Sequence, residues 1–212
     1  MTKIKVCGIT NLEDAKVSIE AGCNGLGFVF YKKSPRYINP KKTKKILQKI
    51  SPSVKKIGVF VNEREVKIRN ITKELKLDML QFHGDESPNF CKRFKGYKVI
   101  KAFRIKDKSS LKSLKEYDVW GFLFDSYQKG IFGGTGKRFN WKIVKNLEVG
   151  KKNIFISGGL NTRNVKKVIQ ILHPDWVDVS SFVETKPGKK DIKKVKKFIK
   201  TVKTVDLNTS SL

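Results

Sequence analysis

The sequence predicts an α/β fold, a single-domain (β/α)8 TIM barrel. Three observations carry that expectation. Eight short runs are rich in β-branched and aromatic residues, amphipathic lysine-faced segments lie between them, and no glycine- or proline-rich linker divides the 212 residues. Strands alternating with helices imply parallel pairing, because each crossover must bring the chain back to the same end of the sheet. Eight such units close the sheet on itself.

Taken in order, the first run is Lys3 to Cys7, followed by a helix over 11–21 for which Thr10-Asn11-Leu12-Glu13 has capping-box spacing. Gly25 to Phe30 precedes a helix over 40–50, and Lys56 to Val61 one over 63–76. Met79 to His83 leads to a helix over 86–95, and Lys98 to Arg104 to one over 107–117. Val119 to Asp125 is followed by a stretch containing Gly130, Gly133, Gly134 and Gly136, too glycine-rich for a regular element and long for a barrel connection. It is expected to be a mobile lid, with a helix over 140–147 after it. Asn153 to Ser157 precedes a helix over 161–172 that Asn161 is placed to cap, and Trp176 to Ser180 is the eighth strand. A helix over 189–203 ends the barrel. Its apolar stripe packs inward, and its lysines, Lys189 and Lys190 among them, face water. The barrel domain is expected over 1–205, with a frayed tail over 206–212.

Composition narrows the function. Hydrophobic residues make up 39% of the chain and supply a core, although 47 Lys and Arg against 19 Asp and Glu leave a charge of +28. Only seven of those bases are arginine, and the lysines are spread along the whole length, which fits a solvated surface and no dedicated nucleic-acid partner. No apolar run approaches the roughly 20 residues of a membrane span, and the first residues lack the features of a secretory signal, so no membrane partner and a cytoplasmic location are expected. Cys7, Cys23 and Cys91 form no C-x-x-C pair, which argues against a disulfide framework or a structural zinc site.

In a (β/α)8 barrel the chemistry gathers where strands end. The first strand ends in Cys7-Gly8, the fourth in Gln81-Phe82-His83-Gly84, the sixth in Asp125, the seventh in Ser157-Gly158-Gly159 and the eighth in Ser180-Ser181, while Ser34-Pro35-Arg36 follows the second. Gly158 and Gly159 at a helix start, beside Ser180 and Ser181, suit a phosphate cradle. Arg36 offers a planar fork for a carboxylate. Lys5 shares a strand face with Cys7, and a nearby cation favours a thiolate. Asp125 ends an apolar run that suits a general acid. His83 is assigned packing or substrate hydrogen bonding, and His173 a helix C-terminal dipole contact. Cys23 and Cys91 are read as packing.

These strand ends are recognisable together. Lys5-Val6-Cys7-Gly8-Ile9-Thr10, Ser34-Pro35-Arg36-Tyr37, Leu80-Gln81-Phe82-His83-Gly84, Phe132-Gly133-Gly134-Thr135-Gly136-Lys137, Ser157-Gly158-Gly159-Leu160 and Asp178-Val179-Ser180-Ser181 resemble, in order and over nearly the whole chain, the phosphoribosylanthranilate isomerases. The resemblance implies an Amadori rearrangement of a phosphorylated aminoaldose in tryptophan biosynthesis, without cofactor or metal. It implies Cys7 as general base, Asp125 as general acid, Arg36 on the anthranilate carboxylate, and Gly158, Gly159, Ser180 and Ser181 on the phosphate. Monomer is the default assembly, with a homodimer the alternative. Two departures stand out. Phe182 occupies a position where the family commonly carries glycine, and its side chain is expected to turn away from the phosphate. Lys32-Lys33 adds charge before Ser34. Three rival readings are a lysine Schiff-base aldolase built on Lys5, an aminoaldose isomerase using two strand-end aspartates, and an RNA-binding barrel.

Overall fold

Alternation along each strand sorts side chains into an inward and an outward set. In the computed structural model, which describes residues 1–128 and 138–209 and only the backbone over 206–209, both sets are apolar over most of their length. That is the condition for a parallel sheet covered on both faces. The strands are β1 (Lys3–Cys7), β2 (Gly25–Val29), β3 (Lys55–Phe60), β4 (Met79–Phe82), β5 (Lys98–Ile105), β6 (Gly121–Ser126), β7 (Asn153–Ile156) and β8 (Trp176–Val179). They pair in sequence order, all parallel, and β8 closes on β1, so the expected closed barrel is present.

Outward residues such as Val6, Phe28, Leu80, Phe124 and Val177 pack with the surrounding helices in one continuous core. Inside the barrel, Ile57, Met79, Ile100, Leu123, Phe155 and Trp176 form a separate cluster that fills its lower half. Trp176 stacks on Phe155 with ring centroids 5.1 Å apart, and the Lys3 ammonium lies 5.6 Å from the Trp176 ring. This floor is dry. The polar inward residues stand on it, and the register fixes their neighbours: Lys5 lies opposite Asp178 on one side and Gly25 on the other, and Cys7 lies opposite Gly27.

The α-helices are α1 (Leu12–Ala21), α2 (Pro40–Leu47), α3 (Glu65–Leu75), α4 (Pro88–Lys92), α5 (Val165–Leu172) and α6 (Ile192–Thr209). Asn11, rather than Thr10, caps α1, accepting from the Asp14 amide at 2.9 Å, while the Thr10 hydroxyl donates to the Gly188 carbonyl. The helix expected from 161 starts four residues later, because Asn161 uses its side chain on the Arg163 amide and caps the preceding turn. His173 ends α5 in the left-handed region at φ 44°.

Two expected helices are absent. Over 107–117 the chain forms only 3-10 turns at Lys108–Leu111 and Leu114–Glu116. Asp107 and Ser110 spend their side chains on local backbone amides there, which competes with helix propagation. Over 140–147 a single 3-10 turn, Trp141–Ile143, is followed by Asn146 at φ 67°, a left-handed residue that stops the turn from continuing. The glycine-rich stretch read as a lid falls within 129–137, outside the described residues. No helix among the described residues is long and apolar enough to cross a membrane.

After β8 the chain makes a short antiparallel hairpin of β9 (Glu184–Lys186) and β10 (Lys189–Lys190) before α6. Here the reading of the final lysines needs correction. Lys189 is partly exposed and pairs with Glu13, but Lys190 is 2% exposed and turned into the mouth of the barrel.

Gly27 is where the interior is tightest around the thiol. A Cβ there would lie 2.7 Å from Cys7 Sγ, closer than such atoms approach, and a tight 3.1 Å from Lys5 Cε. Gly27→Ala is expected to destabilise the fold by about 1–3 kcal/mol, the usual cost of overpacking. An unchanged midpoint in urea unfolding would show that the interior is slack.

Candidate active site

The upper half of the barrel interior is built around Lys5, whose side chain is completely buried. An ammonium in that position must have its donors met. Its Nζ donates to Asp178 Oδ2 at 2.9 Å and to Gln81 Oε1 at 2.6 Å, and the Cys7 sulfur lies near enough to interact with its charge. Burial works against the charge, but Asp178 and Cys7 outweigh it and hold the Lys5 ammonium above its ordinary value. The expectation that Lys5 and Cys7 share a face is met.

Cys7 finishes β1 and is 9% exposed. Burial dominates its ionisation and pushes the thiol above the ordinary value; Lys5 and Lys190 pull the other way, while Asp178 adds to the rise. The sequence argument that a cation favours the thiolate is therefore right in sign and outweighed in size. Cys23 and Cys91 are buried as expected, and burial pushes both up to about 12.

Arg36 is carried by the loop after β2, which is anchored by a bridge from Val29 to Tyr37 and by the Ser34 hydroxyl accepting the Arg36 amide at 3.1 Å. Its guanidinium is gripped by Glu184 at the start of β9, with Nε 2.9 Å from Oε1 and Nη2 2.7 Å from Oε2. That pair uses the Nε–Nη2 edge. Glu184 Oε1 also accepts from Lys190 Nζ at 2.8 Å, and Lys190 donates to the carbonyls of Cys7 at 2.6 Å and Ser180 at 3.4 Å. One ammonium thus ties the ends of β1 and β8 to the hairpin that holds Arg36. Against the cost of burial, Arg36 and Lys190 hold the Glu184 carboxyl below the usual range.

Across the mouth, Asp125 near the end of β6 is 3% exposed. Its Oδ1 accepts the Ser126 amide at 2.8 Å, and its Oδ2 lies 3.2 Å from His83 Nε2, in contact though not aligned as a full hydrogen bond. His83 thus faces Asp125, a neighbour the sequence did not indicate. Its Nδ1 lies 2.7 Å from Gln81 Nε2.

Asp125 also lines a narrow cavity with Gly158, Gly159, Ser180, Ser181 and Phe182. Gly158 sits at φ 80°, and a Cβ on it would come within 2.9 Å of Asp125 Oδ1, so only glycine lets the turn approach the carboxylate. The Ser180 hydroxyl is committed to the Cys7 carbonyl at 3.0 Å. Phe182 lines the cavity and is 41% exposed. The cavity is narrow, about 20 Å³.

The site therefore gathers a thiol, a carboxyl, a forked cation and a glycine turn at one end of a barrel. Residues 4–201 match the family model described as N-(5'phosphoribosyl)anthranilate (PRA) isomerase. The chain belongs to that isomerase family. An N-(5'-phosphoribosyl)anthranilate isomerase from Geotalea uraniireducens is 47% identical over 205 residues, spanning 96% of this chain and 99% of the relative. The crystal structure of phosphoribosyl anthranilate isomerase from Thermotoga maritima superposes with a TM-score of 0.88 at 38% identity, covering 96% of this chain and 100% of the other. A structure of such an isomerase in complex with reduced 1-(o-carboxyphenylamino)-1-deoxyribulose 5-phosphate has a TM-score of 0.85 at 37% identity, again covering 96% and 100%.

Four residues of these buried networks were not singled out from the sequence: Gln81, Asp178, Glu184 and Lys190. Gln81 and Asp178 carried a signal, since each is a polar residue at an inward position of a short apolar strand. Glu184 and Lys190 pair with each other across six residues, but the groups that place them in the mouth, the Arg36 guanidinium and the Cys7 carbonyl, lie far off in sequence.

Glu184 ties its stability contribution to pH. Its carboxyl ionises more readily folded than unfolded, so the contribution is complete above the ordinary carboxylate value and is lost as pH falls through the lowered one. Glu184→Gln is expected to cost about 3–5 kcal/mol at neutral pH by leaving Arg36 and Lys190 without their counter-ion. The gap from wild type should narrow as the solution is acidified. A gap that is constant with pH in denaturant titrations would contradict the assignment.

Proposed function

We propose that the chain converts N-(5-phosphoribosyl)anthranilate into 1-(2-carboxyphenylamino)-1-deoxyribulose 5-phosphate by an Amadori rearrangement, with Asp125 as general acid and Cys7 as general base. The observation that carries this reading is the placing of Asp125. It is at once on the wall of the glycine-turn cavity and in the same buried network as Cys7, so a sugar anchored there by its phosphate presents its ring to both groups.

The chemistry needs two opposite protonation states. Asp125 gives a proton to the furanose ring oxygen, and the C1–O bond opens to a Schiff base. Cys7 as thiolate then removes the C2 proton to leave an enolamine, which tautomerises to the ketone. Arg36 holds the anthranilate carboxylate with the donors that Glu184 leaves over, Nη1 among them, while the backbone of Gly158, Gly159 and Ser181 receives the phosphate. Preset charges of this kind need no reorganisation when the substrate's charge shifts. A Schiff-base role for Lys5 is not favoured, because an amine held as ammonium by Asp178 and Cys7 is a poor nucleophile.

Conversion of the synthetic aminoaldose phosphate to the ketose, followed by anthranilate fluorescence, is the direct test; no turnover by the purified chain would refute the proposal. Cys7→Ala and Asp125→Asn should each lower kcat by about 10²–10⁴-fold with little change in KM. Because a protonated Asp125 and an ionised Cys7 are needed together, kcat/KM for the wild type should be bell-shaped in pH, and one limb should vanish in Asp125→Asn. A profile that keeps both limbs in Asp125→Asn would point to a different acid.

Arg36→Ala should raise KM more than it lowers kcat, since the carboxylate carries the same charge in substrate and transition state. Arg36→Lys should recover little of the loss, because a point charge can neither fork a carboxylate nor keep both bonds to Glu184. An unchanged KM in Arg36→Ala would remove the assignment.

A further inference from the structure

Lys5, Gln81, His83 and Asp125 form one line of contacts across the barrel interior, at 2.6, 2.7 and 3.2 Å. All four are buried, none more than 6% exposed. The direction of this line is set at its first member. An ammonium can only donate, so the Gln81 atom facing Lys5 must be the amide oxygen, and the atom facing His83 must be the NH2 group. Gln81 therefore donates to His83 Nδ1. A proton on Nδ1 would set two donors against each other at 2.7 Å, which disfavours both the Nδ1–H tautomer and the imidazolium. The ring proton must sit on Nε2, the nitrogen that faces Asp125 Oδ2.

We propose that Gln81 is a positioning residue that fixes His83 as its Nε2–H tautomer and so keeps the imidazole lone pair away from Asp125. The consequence concerns the acid, and it rests on the role proposed above for Asp125. Oδ1 is occupied by the Ser126 amide, so the transferable proton belongs on Oδ2. A ring nitrogen whose lone pair faced Oδ2 would act as an acceptor competing for that proton. A donor in that place cannot. Residue 81 thus acts two steps away from the substrate, through the hydrogen-bond polarity of one ring.

The chain has two histidines, His83 and His173, so 15N-histidine NMR reads the tautomer directly, with His173→Asn assigning the signals. The wild type should show a neutral His83 ring with the proton on Nε2. Gln81→Glu, isosteric but an acceptor toward Nδ1, should place a proton on Nδ1 and lower kcat by about 10–100-fold with KM unchanged, a range typical of groups that orient an active residue. Gln81→Met, which keeps the volume and removes the donor, should populate both tautomers and serves if the glutamate variant does not fold. A wild-type ring protonated on Nδ1, or a ring unchanged in both variants, would overturn the proposal. So would a moved proton with kcat intact, provided Asp125→Asn still loses activity. If Asp125→Asn is active as well, the assignment of the acid has failed instead.

Discussion

A lysine side chain with no exposed surface lies on an apolar floor of Trp176, Phe155 and Leu123, and much of the barrel's upper half follows from it. A buried charge without partners costs several kcal/mol, so Lys5 fixes what must surround it: a carboxylate from β8, an amide oxygen from β4 and a sulfur two residues along its own strand. These partners depend on register. A slip of one residue in β8 or β4 would send Asp178 or Gln81 to the outer face and leave the ammonium bare. Lys5 therefore helps to specify the pairing that places Cys7 at the mouth.

The second cationic centre works differently. Arg36 and Lys190 share one carboxylate, Glu184, and the three groups are held in place by the hairpin after β8. In such a set the net charge facing the mouth stays positive while each buried group keeps a partner, which suits an anion arriving from water. The surface lysines that give the chain its charge of +28 are separate from this. They set the field around the molecule, and the buried trio sets the local one.

How far the sequence spoke depended on the range of the interaction. Strand identity, closure and the convergence of Cys7, Asp125 and Gly158 came from patterns within a few residues, and the barrel realises them. The segments 107–117 and 140–147 looked helical by spacing of apolar residues, yet local bonds of Asp107 and Ser110 and the left-handed Asn146 override that pattern. Lys190 could not be separated from the lysines around it, because what distinguishes it is a carbonyl 183 residues away. Arg36 was legible as a fork, whereas the carboxylate already occupying one edge of it, 148 residues on, was not.

That last separation has a meaning for biosynthesis. The ammonium of Lys190 joins the end of the first strand to the hairpin made after the eighth, so the mouth is finished only once that hairpin exists. Until then the Cys7 carbonyl and the Arg36 guanidinium have no native partner there, and a nascent barrel lacking its final strand and hairpin also has an open sheet edge at β1. The mouth is thus assembled by ring closure, after β8 and its hairpin have both emerged.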